Sequence, residues 1–303
     1  MFLPELVKRY NSDENCRAYM EELRWPNGPE CPTCGDKNIV RITGRQAVLR
    51  CKSCERQFTV TVGTIFHDSH LPLTKWFLAI LLMCEAKKGI SALQIQRTLG
   101  MGYKTAWYLC HRIREAMVRA NSEKPKLSGI VEIDETYIGP RDRGGKRGRG
   151  AAKRIVIGIR ERNGKLRLFK VNNVKADTLS GFISRNVDGE DVDILITDEY
   201  QSYPAALRKG GVASEKHQTV NHTSGDYVVG KIHTNTVESA FSLLKRGLIG
   251  SWHKVSMKHL QRYLEEMSYR FEERDNPQLF SVTLKNLLNT DTLTFENLTK
   301  NAA

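Results

Sequence analysis

The 303-residue sequence contains no long apolar run, and its longest, Trp76 to Cys84, falls far short of the roughly 20 residues a membrane-spanning helix needs. The opening Met1-Phe2-Leu3-Pro4-Glu5 lacks the charged-then-apolar build of a secretory signal. Internal repeats and long low-complexity segments are also missing, which leaves a succession of unlike modules. Cysteine is sparse and odd in number, seven in all, which argues against a disulfide framework and for metal binding in a reducing compartment. These absences together predict a soluble, cytoplasmic protein. Acidic residues are in short supply as well: 34 Asp and Glu face 47 Lys and Arg, a net charge of +13, and the isoelectric point lies near 9.4. A field of that sign attracts polyanions, so nucleic acid is the leading partner.

The texture of the chain changes several times. Residues 1–25 read as one short amphipathic helix, with Leu3, Leu6, Val7 and Tyr10 on one face. Residues 26–66 carry prolines, glycines and short β-prone runs, too little to hold together by apolar burial alone. Residues 73–121 predict three helices, with Gly89 ending the first, Ser91 capping the second over Ala92–Leu99, and a Gly-Met-Gly turn leading into the third over Thr105–Ala120. Helix, glycine turn, helix suggests a helix-turn-helix-like DNA-binding module, whose last helix carries Arg112, Arg114 and Arg119; an ordinary three-helix packing module is the alternative. From 127 to 275 the pattern predicts three strands, a helix, a strand rich in Ile and Val, and a final helix pair, which together make an α/β layered domain. Residues 276–303 read as a tail with at most a short helix near Leu284–Leu288. The predicted fold class is therefore multidomain α/β.

Two motifs carry chemistry. Cys31-Pro-Thr-Cys34 and Cys51-Lys-Ser-Cys54 are Cys-x-x-Cys knuckles separated by sixteen residues, a spacing that brings four thiolates within tetrahedral reach of one Zn²⁺. With all four positions filled by protein, no coordination site remains for water, so the ion is structural. The second motif is a set of carboxylates. Asp134 lies toward the end of one apolar strand and Asp198 just past another, where ligands of α/β sheets gather. Glu238 lies on a helix expected beside the sheet, with Lys245 two turns on along the same face. Each acid also has a plainer reading: the aspartates as turn formers, and Glu238 as the partner of Asn235 in a capping box.

The strings Trp25-Pro-Asn-Gly-Pro-Glu-Cys-Pro-Thr-Cys, Gly63-Thr-Ile-Phe, Glu132-Ile-Asp-Glu-Thr-Tyr-Ile-Gly, Thr197-Asp-Glu-Tyr and His233-Thr-Asn-Thr-Val-Glu-Ser, followed by Leu243-Leu-Lys-Arg-Gly, resemble bacterial insertion-sequence transposases of the ISXO type. The resemblance runs from about residue 5 to residue 275. It implies a ribonuclease H-like domain with an Asp-Asp-Glu (DDE) triad at Asp134, Asp198 and Glu238, using Mg²⁺ or Mn²⁺ to cleave element ends and transfer the freed 3′-hydroxyl to target DNA. It further implies terminal inverted repeats and target DNA as partners, a homodimer or higher oligomer on DNA, and association with the bacterial nucleoid. Lys245 and Arg246 then fall near the bound end. The glycine-rich cationic stretch 141–154, with Arg147 and Arg149, is expected to add salt-dependent affinity. A zinc-ribbon DNA-binding regulator without catalysis is the alternative.

Overall fold

The computed structural model describes residues 1–122, 124–139, 154–162, 164–220 and 233–300. Arg147 and Arg149 lie outside the described residues. The chain forms two compact units, Met1–Ser122 with Glu273–Ala303, and Glu123–Glu272.

The first unit begins with two helices where the sequence predicted one: α1, Leu3–Arg9, and α2, Asp13–Arg24. The break comes at Ser12, whose extended backbone lets its side chain accept the Asn15 N–H at 3.2 Å and cap α2. A small antiparallel sheet follows, formed by β1 (Ile39–Arg41), β2 (Leu49–Cys51) and β3 (Gln57–Phe58). Helix α3, Leu73–Glu85, is apolar on most of its surface and buries Trp76, Phe77, Ile80, Leu81 and Met83. Helix α4, Ala92–Leu99, starts where Ser91 accepts the Gln94 N–H at 3.0 Å and stops at Gly100, whose left-handed φ of +58° a side chain would resist. Helix α5 then runs from Tyr103 to Ser122.

The second unit is built on a five-stranded mixed sheet. Its strands are β4 (Leu127–Ile138), β5 (Arg154–Glu161), β6 (Leu166–Val171), β7 (Val187–Asp198) and β8 (His217–Val220). The order is β6-β5-β4-β7-β8, antiparallel among the first three and parallel across β4-β7-β8. Crossover helix α6, Ala176–Asn186, precedes β7, and α7, Tyr203–Lys209, follows it. Side chains alternate across the sheet. Val131, Ile133, Ile157 and Leu195 face α6 and α7, where Leu179, Ile183, Tyr203 and Leu207 close one core layer. On the opposite face Val156, Leu166 and Leu168 pack against α8, Asn235–Gly247, and α9, Leu260–Glu272, through Val237, Phe241, Leu244 and Leu264. A sheet with helices on both faces is the α/β layered architecture the sequence predicts for this part of the chain.

Residues 276–303 were expected to be a tail, and the structure corrects this. Helices α10, Leu279–Leu288, and α11, Phe295–Thr299, belong to the first unit. The Phe280 ring lies 5.4 Å from that of Phe77, and the Tyr19 hydroxyl meets Ser281 Oγ at 2.7 Å. Such contacts join residues more than 200 positions apart, so local pattern does not announce them. Among the described residues, no helix is long and apolar enough to cross a membrane.

Candidate active site

Strands β4 and β7 run parallel, with Glu132 opposite Ile196. Two residues further along each strand stand Asp134 and Asp198, on the same face by alternation. Asp134, Asp198 and Glu135 each present a carboxylate oxygen within 4.8 Å of the others, a set of hard oxygen donors that suits Mg²⁺ or Mn²⁺. Local backbone bonds fix both aspartates: Asp134 Oδ1 accepts the Glu135 N–H at 2.7 Å, and Asp198 Oδ1 accepts the Tyr200 N–H at 3.1 Å. Burial pushes the Asp134 carboxyl up to about 7, and the negative charges of Glu135, Asp198 and Glu238 push it the same way. The sequence reading did not select Glu135. Its Oε2 accepts the hydroxyl of buried Tyr203 at 2.9 Å, and burial together with the neighbouring carboxylates holds that phenol protonated well above its usual range.

Glu238 is exposed on the first turns of α8 and stands outside the group of three. Its charge nevertheless acts on Asp134, which places the two within electrostatic reach. The capping-box reading shifts by one residue, because Thr234 is the N-cap of α8 and Glu238 falls at the fourth helical position, its Oε1 accepting the Thr234 hydroxyl at 3.0 Å. The anionic cap comes instead from Glu132 on β4, fully buried and bonded to the first turn of α8. Close approach of α8 depends on Gly158, which pairs with Asp134 across β4 and β5. A Cβ there would fall 2.7 Å from the Phe241 ring and 2.8 Å from Val237, both on α8.

The expected DNA-contacting cations divide into groups. Lys245 and Arg246 are exposed in the last turn of α8, available to an anionic ligand. Arg112 is not, and its assignment is corrected: it is 4% exposed, its guanidinium lies over the rings of Trp76 and Tyr108 at 5.1 and 5.3 Å, and Nη2 donates to the His67 carbonyl at 2.6 Å. Helical spacing already hinted at this, because Leu109, Arg112, Ile113 and Ala116 form one i, i+3, i+4, i+7 stripe that faces the core.

In the first unit the sulfur atoms of Cys31, Cys34, Cys51 and Cys54 all lie within 4.8 Å of one another, with Cys31–Cys54 and Cys34–Cys51 each at 3.6 Å. None is disulfide-bonded. Turns shape the knuckles: the Gly35 N–H bonds the Cys31 carbonyl at 2.9 Å with φ at +73°, and the Cys51 N–H bonds the Arg56 carbonyl at 3.0 Å. Leu49 and Phe58, packed with Trp25, supply a core too small to stand alone, so four thiolates around Zn²⁺ complete it.

Residues 126–272 match the ISXO2-like transposase domain, and residues 11–57 match the transposase zinc-ribbon domain. An uncharacterized protein in transposable element ISH50 of Halobacterium salinarum is 30% identical over 285 residues, covering 88% of this chain and 93% of the relative. Among solved structures, the Mos1 strand transfer complex is 13% identical with a TM-score of 0.32, covering 70% of this chain and 75% of that one. The mariner Mos1 paired end complex with Mg is 11% identical with a TM-score of 0.28, covering 71% and 79%. The two family matches and the ISH50 relative carry the assignment: the chain belongs to the ISXO2-like insertion-sequence transposases, metal-dependent enzymes of DNA transposition in which a structural zinc ribbon precedes a DDE catalytic domain.

Proposed function

We propose that Asp134, Asp198 and Glu238 are the catalytic acids, and that they hold a pair of Mg²⁺ or Mn²⁺ ions for phosphodiester cleavage and strand transfer. The observation that carries this reading is the meeting of Asp134 and Asp198 at the ends of adjacent parallel strands; the charge of Glu238 on α8, felt at Asp134, supports adding it as the third acid. Asp134, Asp198 and Glu238 would hold such ions, which when bound would lower the pKa of the attacking oxygen and stabilise the leaving one. Backbone N–H groups hold one oxygen of Asp134 and one of Asp198 in place, which limits the reorientation needed when an ion binds. Water opens the phosphodiester at each element end. The 3′-hydroxyl so freed then attacks a phosphodiester of target DNA, which forms the new P–O bond and releases a target 3′-oxygen, with no covalent link to the protein. Lys245 and Arg246 neutralise phosphates of the bound end.

The α4–turn–α5 segment is the DNA-binding module in this reading. Its exposed edge is the start of α5, the part of a recognition helix that meets base edges, where Tyr103 and Thr105 are exposed and Lys104 lies over the Phe295 ring at 4.5 Å. The module boundaries 1–25, 26–66, 73–121 and 127–275 are part of the same proposal, and two ends held together call for at least a homodimer. The DNA flanking the gene supplies the terminal repeats for the test. Duplexes pre-cleaved at the repeat, with a free 3′-hydroxyl, should join to target DNA in Mg²⁺, whereas the same duplexes ending in a 2′,3′-dideoxynucleotide should not. Joining by dideoxy ends, or nicking with no joined product from 3′-hydroxyl ends, would count against the proposed chemistry.

A further inference from the structure

The structure assigns Glu132 as the positioning residue that sets the third acid against the first two, an inference that rests on the triad proposed above. Glu132 sits two residues before Asp134 on β4 and on the same face, with 0% of its surface exposed. A carboxylate placed so deep is unfavourable unless every lone pair is used. Here both oxygens are used, and on different tasks. Oε2 accepts the N–H groups of Thr236 and Val237 at 3.0 and 3.1 Å and the Thr236 hydroxyl at 2.6 Å. Oε1 accepts Arg162 Nε at 2.8 Å and lies 3.4 Å from His233 Nδ1.

The geometry has a direct consequence for Glu238. The first N–H groups of a helix have no partner within it and carry partial positive charge, so a buried anion aimed at them is a strong, charge-assisted anchor. Glu132 fixes the second and third residues of α8, and Glu238 is the fourth. The same side chain shares its strand and face with Asp134. One carboxylate thus ties the strand of the first acid to the helix of the third. Arg162 extends the tie, since its Nη2 donates to the His233 carbonyl at 3.0 Å and so holds the chain just before α8. Arg160 on β5 also reaches α8, donating to the Thr236 carbonyl and to Ser239 Oγ.

Glu132 therefore does no chemistry itself; it acts through the placement of Glu238. In Glu132→Ala the first turn of α8 loses its anchor, and Arg162 faces an unpaired cavity. In Glu132→Gln a single carbonyl oxygen can keep the Thr236 and Val237 donors, but the amide presents N–H to Arg162. The test measures strand cleavage by the full-length chain on its own element ends, with circular dichroism, zinc content and end-binding affinity in parallel, over a Mg²⁺ titration. A displacement of about 1 Å at a reacting centre costs on the order of 10²-fold in rate. Glu132→Ala should accordingly cleave ~10²-fold more slowly at low Mg²⁺, need more Mg²⁺ for half-maximal rate, and still bind DNA. Glu132→Gln should fall between it and the wild type.

A residue that merely supported the fold would lower the melting temperature and leave the Mg²⁺ requirement of the folded protein unchanged, and that result overturns the inference. Should Glu132→Ala fail to fold, Glu132→Gln decides: a raised Mg²⁺ requirement supports the role, and wild-type kinetics at all Mg²⁺ concentrations overturn it. Asp134→Asn in the same series keeps the two proposals apart. Normal cleavage by Asp134→Asn sinks the triad itself, whereas an inactive Asp134→Asn beside a wild-type Glu132→Ala sinks only the positioning role.

Discussion

Replacing Asp134 by Asn should stabilise the metal-free catalytic unit while removing its activity, because the carboxylate proposed to serve the chemistry is held in a place that disfavours its charge. Asp134 ionises at about 7 in the fold, raised by burial and by Glu135, Asp198 and Glu238, against an ordinary 3.8. A group whose folded pKa is raised adds stability that is intact below its unfolded pKa, near 4, and is lost as pH rises through about 7. The gap of about three pH units corresponds to ~4 kcal/mol at full ionisation, and partial solvent access brings this to roughly 2–4 kcal/mol. Asparagine keeps an oxygen for the Glu135 N–H and carries no charge at any pH. Amide hydrogen exchange of β4 and β7, in magnesium-free buffer that leaves zinc bound, should show slower opening in Asp134→Asn at pH 8. The advantage should shrink by about 1 kcal/mol at pH 6, as the wild-type carboxyl regains its proton. Added Mg²⁺ should slow opening in the wild type and not in the variant. A variant less stable than wild type at pH 8, or an advantage that grows toward acid, would refute the reasoning.

Three other outcomes follow from the same geometry. Cys31→Ser should lose the bound zinc and unfold β1–β3, seen as metal content falling to background and fast exchange of those amides, because three thiolates and a small core do not hold the ribbon. Arg112→Ala should lower stability by about 1–3 kcal/mol in thermal melts through its lost carbonyl bond and ring contacts, and should leave the salt dependence of DNA binding unchanged. Lys245→Ala should do the reverse, leaving the melt unchanged and reducing the slope of log affinity against log salt by about 1.

What the sequence disclosed and what it concealed divide along a physical line. The zinc ligands were legible because metal coordination dictates cysteine spacing over a few residues. The meeting of Asp134 and Asp198 was legible because long apolar strands announce themselves and their ends are where ligands collect. Strand β8 was missed, since four residues reading His-Gln-Thr-Val carry too weak an alternation to mark an edge strand. Glu132 has no role in the sequence reading, although a carboxylate between Val131 and Ile133 on the face of Asp134 is itself a signal of a buried partner. Arg112 was expected to face DNA from the last helix of the helix-turn-helix-like module, when its place on the Leu109–Ile113–Ala116 stripe already turned it inward. The role of α10 and α11 was out of reach, because Phe280 meets Tyr10 and Phe77 only after the chain has returned.

The most direct test of the triad is strand cleavage and joining on the element's own ends by Asp134→Asn, Asp198→Asn and Glu238→Gln, each assayed beside its binding affinity for the same DNA. All three variants should bind the ends as the wild type does and yield neither cleaved nor joined product in Mg²⁺ or Mn²⁺. Normal cleavage by any one of them would remove that residue from the catalytic set, and normal cleavage by Asp134→Asn or Asp198→Asn would contradict the account as a whole.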